Sequence, residues 1–270
     1  MREHPDTDFF KPALPRAFGH RGSAGTHPEN TLESFAAAAA LGIEYFELDV
    51  HMTRDGEVVV SHDGDLERTC GRAGVIAEMT YAELATADAG RMFTLDGASF
   101  PFRDRGIRVP RLAEVLAAFP KLRVLIEVKQ IAPSLIVAML GVIDRAGMRR
   151  SVLVASEHQP PLDEVRRLAP EIPTNFSYFD TGEFFQAMVR RDNYRPPGTA
   201  LQIPRNYESW QLVTPDSVEF AHRLGVEVHV WTVNEEAEMN QLLDLGVDGL
   251  ISDYPGRLLD VIRRRGSARR

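Results

Sequence analysis

The sequence predicts an α/β chain folded as a (β/α)8 TIM barrel with a small insertion after the second strand. Three observations carry this expectation. Short apolar, β-branched runs alternate with helical segments eight times along the 270 residues. Alternation of that kind implies a parallel sheet, and eight units close it. The rhythm breaks once, over 54–109, where a short turn and scattered glycines replace the regular helix. The unusual polar residues fall at strand ends, the rim on which such barrels carry their chemistry.

The elements follow in order. Ala17-Phe18-Gly19 is a short apolar strand ending at His20. A helix over 31–41 starts at a cap from Thr31 or Asn30, with Glu33 in its first turn and Gly42 at its end. The second strand, 45–50, alternates: Phe46, Leu48 and Val50 on one face, Glu47, Asp49 and His51 on the other. Arg54-Asp55-Gly56 then turns the chain into another strand, 58–61. A parallel crossover needs roughly a dozen residues, so this strand folds back antiparallel. With the turn centred on Asp55, Asp49 pairs near Ser61 and His62 comes close to the carboxylates. Residues 64–109 are read as irregular, with a short helix near 81–87 and Cys70 in a loop. From Pro110 onward the pattern is regular. Helices over 111–119, 134–146, 161–168, 182–191, 215–224, 235–245 and 256–265 alternate with strands over 123–128, 152–155, 174–178, 200–203, 226–233 and 248–251. The whole chain, 1–270, is expected to be one barrel domain, with 54–109 as hairpin plus insertion.

Bulk properties exclude several classes of function. A net charge of −8 argues against nucleic acid as a partner, because backbone binding needs a cationic face. The one basic cluster is Arg263, Arg264, Arg265, Arg269 and Arg270. Arginines at the end of a last helix complement its dipole, which accounts for them without a membrane surface. No run approaches the eighteen or so apolar residues of a membrane span, and the start lacks a signal-like apolar segment. One cysteine allows no intrachain disulfide. Cytoplasmic residence without membrane insertion is the expectation.

Glu47, Asp49 and Glu127 converge on one rim. On an edge strand, Glu47 and Asp49 would simply be a solvated face. In a barrel the face opposite the helices is packed, and a lone carboxylate there is costly. Three acids together repel unless protonated or bridged by a cation, and hard oxygen ligands suit one divalent cation, Mg²⁺ or Ca²⁺, over zinc. His20 and His62 stand at opposite margins of this cluster. Phosphodiester cleavage needs one group to take a proton and another to give one, and histidine serves both near neutral pH. His4, His27, His51, His158, His222 and His229 lack that placement and are read as structural or exposed. Arg21 and Lys129 suit phosphate oxygens, or ion pairs with the same acids, and the two roles can coexist. Asn30 and Asn234 read as helix caps. Trp231 either stacks on the alcohol part of a substrate or packs across the barrel mouth.

His20-Arg21-Gly22, Pro28-Glu29-Asn30-Thr31, Glu47-x-Asp49-Val50, Thr53-x-Asp55-Gly56 and His62-Asp63 resemble the fingerprint of the glycerophosphodiester phosphodiesterase family. Glu127-Val128-Lys129, Val230-Trp231-Thr232-Val233-Asn234 and Ser252-Asp253-Tyr254-Pro255 resemble it too, and the likeness runs in order from about Phe18 to Leu259. The resemblance implies cation-assisted hydrolysis of a small-molecule glycerophosphodiester to sn-glycerol 3-phosphate and an alcohol. On that pattern Glu47, Asp49 and Glu127 match metal ligands, His20 and His62 the acid–base pair, and Arg21 and Lys129 the phosphate contacts. Two stretches depart from it. Val109-Pro110-Arg111-Leu112 replaces Ile-Pro-Thr-Leu, and 178–195 is acidic and aromatic without a counterpart.

Competing readings keep the site and change its use. A lysophospholipase D would need an apolar rim, which Phe176, Tyr178, Phe179, Phe184 and Phe185 could supply. Packing of that stretch between barrel and helix is the preferred reading. A catalytically silent barrel binding phosphate esters would lack a histidine or a carboxylate, and none is missing. A sugar-phosphate isomerase barrel would not need three clustered acids beside two histidines.

Overall fold

The computed structural model describes residues 7–268; His4, Arg269 and Arg270, named above, lie outside the described residues. Seven parallel strands follow one path around the molecule. In chain order these are β1 (Arg16–Gly19), β2 (Tyr45–Met52), β4 (Arg123–Val128), β5 (Val152–Ala155), β6 (Ala200–Pro204), β9 (Glu227–Trp231) and β10 (Gly249–Ser252). Their spatial order is β5-β4-β2-β1-β10-β9-β6. Single parallel bridges, Val154 to Thr174 and Asn175 to Ala200, join the two ends of this path. The eighth barrel position is therefore two residues long.

The predicted strand 174–178 is thus cut short, for a local reason. Ser177 Oγ accepts from Asp180 N at 3.0 Å and the Asp180 carboxylate accepts from Ser177 N at 3.3 Å. This reciprocal cap starts a helix at Tyr178, so α7 (Tyr178–Arg190) begins a turn before the predicted 182. The other barrel helices lie close to expectation: α1 (Leu32–Ala40), α4 (Leu112–Ala118), α5 (Ile136–Arg145), α6 (Gln159–Leu168), α8 (Pro215–Arg223), α9 (Glu236–Asp244) and α10 (Pro255–Ala268). Thr31 caps α1, its Oγ1 accepting from Ser34 N. At the start of α4, Glu114 accepts from Arg111 N at 2.8 Å, so Arg111 serves where a hydroxyl residue was expected. In α10, Arg264 pairs with Glu236 and Arg265 with Asp244, consistent with a structural use of that cluster.

β3 (Val58–Val60) folds back on β2 antiparallel, with Val50 opposite Val60. The Ser61 amide donates to Asp49 O at 3.0 Å, the pairing expected from the turn at Asp55. The insertion is more ordered than predicted. It holds α2 (Glu67–Cys70), a 3-10 turn at Ile76–Glu78 and α3 (Tyr81–Leu84), which stops before the predicted Ala87. Leu66, Cys70, Ile76, Leu84 and Ile107 form a small core of its own over Val59. Cys70 is therefore buried in a helix and not in a loop. A two-residue hairpin, β7 (Asn206–Tyr207) with β8 (Trp210–Gln211), was also not anticipated.

Alternation along β2 divides the core in two. Phe46, Leu48 and Val50 pack outward under the helices, while Tyr45 joins Phe18, Leu125, Leu153 and Ile251 in the barrel interior. Phe9 and Phe10 close the interior from below. Beside them Arg16, fully buried, donates twice to Glu227 at 2.7 Å and to Tyr45 Oη at 2.6 Å. With the bottom sealed, the opening is at the strand C-termini. Among the described residues no helix is long and apolar enough to cross a membrane.

Candidate active site

Glu47 and Asp49 are two residues apart on β2, so both point to the same, inward face. β4 runs parallel in register, with Glu127 opposite Asp49. One oxygen from each of the three carboxylates lies within 4.8 Å of the others. Glu47 and Asp49 are almost wholly buried. Burial and the neighbouring Asp49 charge push Glu47 up to about 7. Burial and Asp49 raise Glu127 as well. Asp49 goes the other way: burial opposes its ionisation, but Arg21 and Lys129 outweigh that and hold it below the usual carboxylate range. Burial and mutual repulsion thus disfavour ionisation of Glu47 and Glu127, even with Arg21 and Lys129 beside them.

The arrangement suits a hard divalent cation. Asp49 Oδ1 is buried without a hydrogen-bond partner, although Lys129 Nζ stands 3.4 Å away. An all-oxygen donor set of this compactness fits Mg²⁺ or Ca²⁺.

Arg21 and Lys129 flank the acids. Lys129 Nζ lies 2.7 Å from Glu127 Oε1. Arg21 Nε lies 3.1 Å from Asp49 Oδ2, and its Nη1 donates to Glu29 at 2.8 Å. Arg21 has φ 49° and Gly22 φ 89°. A side chain at Gly22 would meet Ser34 Oγ at 2.6 Å, so only glycine lets this turn settle on α1. The turn also aims the Arg21 amide at Glu47 Oε2, 2.9 Å away.

Each candidate histidine is held by an aspartate. His20 Nδ1–H donates to Asp253 Oδ1 at 2.6 Å, and His62 Nδ1–H donates to Asp63 Oδ1 at 2.8 Å. Those bonds assign the tautomer in which Nε2 is free for chemistry. His20 Nε2 lies 3.8 Å from Glu47 Oε2. Burial disfavours the His20 cation, but Glu47 and the bond to Asp253 raise its pKa above the ordinary imidazole value. The other described histidines are structural or peripheral. His51 donates to the His62 carbonyl, His229 to Glu227 and His222 to Asp248, and His27 stacks near Phe102.

A cavity of about 670 Å³ opens over this site, lined by His20, Arg21, Glu47, His62, Glu127 and Lys129. The rest of its lining is mostly apolar and includes Phe176, Tyr178, Phe185, Leu212 and Trp231. Trp231 both lines the cavity and packs on the interior core, so its two readings are compatible. The aromatic stretch divides. Phe184 is fully buried against Phe220, whereas Phe179 is 66% exposed.

Two cap assignments are corrected. Asn30 caps nothing: with φ 57°, it turns its amide inward to donate to Asp49 Oδ2 at 2.9 Å and accept from Asp49 N at 3.4 Å. Asn234 donates to Asp253 Oδ2 at 2.7 Å and accepts from Asp253 N at 3.0 Å, holding the partner of His20. The helix boundary beside each residue disguised its second use. Asp63 and Asp253 were also legible only in part. Adjacency to His62 marks the first, but the second is 233 residues from its histidine.

The profile of the Glycerophosphoryl diester phosphodiesterase family matches residues 20–257. The chain is 30% identical to a glycerophosphodiester phosphodiesterase of Caldanaerobacter subterraneus, over 92% of this chain and 97% of that one. It is 28% identical to mouse lysophospholipase D GDPD1, over 92% and 86%. Its fold is similar to that of an Oleispira antarctica phosphodiesterase in complex with the product sn-glycerol-3-phosphate. That match has a TM-score of 0.77 at 27% identity and covers 93% of this chain and 97% of the other.

Proposed function

Because this chain belongs to the glycerophosphoryl diester phosphodiesterase family, and is thus a phosphodiester hydrolase, we propose that it cleaves glycerophosphodiesters to sn-glycerol 3-phosphate and an alcohol with a divalent cation and two histidines. The observation that carries this reading is the pair of His–Asp couples on the cavity that Glu47 and Glu127 also line, with His20 Nε2 3.8 Å from Glu47.

Glu47, Asp49 and Glu127 would hold the cation, Mg²⁺ or Ca²⁺. When bound, such an ion supplies Lewis-acid polarisation of phosphate oxygens and a template for the ester. Arg21 and Lys129 offset charge on the non-bridging oxygens. Lys129 is held as a cation there: burial disfavours its charge, but Glu127 and Asp49 reverse that effect and raise its pKa. One histidine takes the proton of the attacking hydroxyl as its oxygen bonds to phosphorus. The other gives a proton to the alcohol oxygen as that P–O bond breaks. Attack by water gives sn-glycerol 3-phosphate directly, whereas the neighbouring glycerol hydroxyl gives a cyclic phosphodiester that a water then opens in a second step. Asp253 and Asp63 stabilise whichever imidazole is charged. Acid–base catalysis contributes about a hundred- to ten-thousand-fold, so charge offset and positioning must supply the remainder.

The test is glycerol 3-phosphate release from glycerophosphocholine, with EDTA and then Mg²⁺ or Ca²⁺ restored. Loss with EDTA and recovery with one cation supports the reading and names the metal. Release by a preparation shown by metal analysis to be cation-free rejects the carboxylate site. A second reading, a lysophospholipase D, is favoured by the apolar wall of Phe176, Phe185 and Leu212 within the same cavity. Comparing lysophosphatidylcholine with glycerophosphocholine separates the two.

A further inference from the structure

The cavity lining contains one charge that hydrolysis of the phosphodiester does not use. Glu157, two residues past β5, lines the cavity on the flank next to Glu127. Among the described residues no Lys, Arg or His nitrogen comes within 4.0 Å of its carboxylate. Tyr178 and Tyr207 line the same wall, one from the start of α7 and one from the small hairpin. Both are about half exposed, 55% and 53%, so their rings are not consumed by packing. The three share that lining, and Tyr178 is tied to Glu157 through the backbone, its N–H donating to the Glu157 carbonyl at 2.9 Å.

An acyl chain would gain nothing from a carboxylate on that wall and would bury its charge at a cost. A cation gains twice, from a carboxylate that no basic side chain neutralises and from the ring faces, which attract ammonium groups through their quadrupoles. We propose that Glu157, Tyr178 and Tyr207 form a subsite for a positively charged amino-alcohol leaving group, so that the preferred esters carry an ammonium or quaternary ammonium head. This rests on the phosphodiesterase reading and adds to it a choice of alcohol.

The test pairs glycerophosphocholine with its neutral isostere, the 3,3-dimethylbutyl ester of glycerol 3-phosphate, which has the same shape without the charge. The wild type is expected to favour the cationic ester by roughly tenfold in kcat/KM, the scale of one desolvated cation–aromatic contact plus an ion pair. In Glu157→Gln and Tyr207→Ala that ratio is expected to fall toward one. Glycerophosphoethanolamine distinguishes a requirement for positive charge from one for the quaternary group. Equal kcat/KM for the charged and neutral esters in the wild type, or an unchanged ratio in Glu157→Gln, overturns the subsite. If neither ester is hydrolysed, the phosphodiesterase reading fails by itself. The same two esters are then titrated calorimetrically into the wild type, where equal affinity overturns the subsite and tighter binding of the charged ester sustains it.

Discussion

Arg68 lays its two terminal nitrogens on the two oxygens of Glu29, both at 2.7 Å. Its Nε donates to Asp63 at 2.6 Å. Glu29 accepts from Arg21, and Asp63 accepts from His62. One guanidinium on the insertion thus braces both a candidate phosphate contact and a candidate acid–base group. Arg68 is 49% exposed, so its ion pairs add little to stability. Arg68→Ala is expected to lower kcat/KM for glycerophosphocholine by roughly tenfold or more, the scale of losing outer support for an active-site group. The melting temperature should stay nearly the same. Arg68→Lys should recover only part, because an ammonium lacks the two-pronged fork. Wild-type kinetics in Arg68→Ala would show that the brace is ornamental.

His20→Ala and His62→Ala are each expected to lower turnover by about a hundred- to ten-thousand-fold. Circular dichroism should show the fold intact. Asp253→Asn is the subtler test: an amide can present N–H to Nδ1 and favour the wrong tautomer. It should cut kcat strongly while KM changes little. Near-wild-type activity in either alanine variant would sink the two-histidine scheme.

The barrel and most of its rim were legible in the sequence because both rest on short-range rules. Alternation along β2 placed Glu47 and Asp49 inward, and the turn at Asp55 set the register that pairs Asp49 with Ser61, the residue before His62. Errors arose where one residue could serve two masters. Asn30 and Asn234 stand next to helix starts, and a propensity rule cannot see that a φ of 57° or a distant aspartate claims the side chain instead. The strand expected over 174–178 stops at Asn175 because the reciprocal cap between Ser177 and Asp180 starts a helix there. Arg68 was invisible because its partners lie 39 and 5 residues away in a segment without periodicity.

Asn30 is the donor that fixes Asp49, so its removal should be felt first by the cation. Asn30→Ala is expected to raise the divalent-ion concentration needed for half-maximal activity by about ten- to a hundredfold, the usual scale for losing an outer-shell partner. Calorimetric titration of Mg²⁺ or Ca²⁺ into the cation-stripped protein reads the same effect without turnover. Asn30→Asp adds a negative charge beside Asp49, so it should raise the pKa of the cluster and shift metal binding to higher pH. Unchanged affinity in both variants would reduce Asn30 to a loop residue.

Far below the cavity, Glu227 makes the stability of the barrel sensitive to acid. Burial opposes its ionisation, but the bonds from Arg16 and His229 prevail and lower its pKa to about 2. An unfolded glutamate titrates at about 4.3. The folded state therefore binds the fewer protons between these values. The stabilisation is fully present above about pH 5 and is lost as pH falls through the folded value near 2. Glu227→Gln leaves Arg16 buried without its counter-charge, which should cost about 3–5 kcal/mol at pH 7. Urea unfolding at pH 7 and pH 3 measures both effects. The wild type should lose stability between the two, and the variant should start lower and lose less. If the variant shows the same acid dependence as the wild type, other carboxylates govern it and the Arg16–Glu227 pair does not.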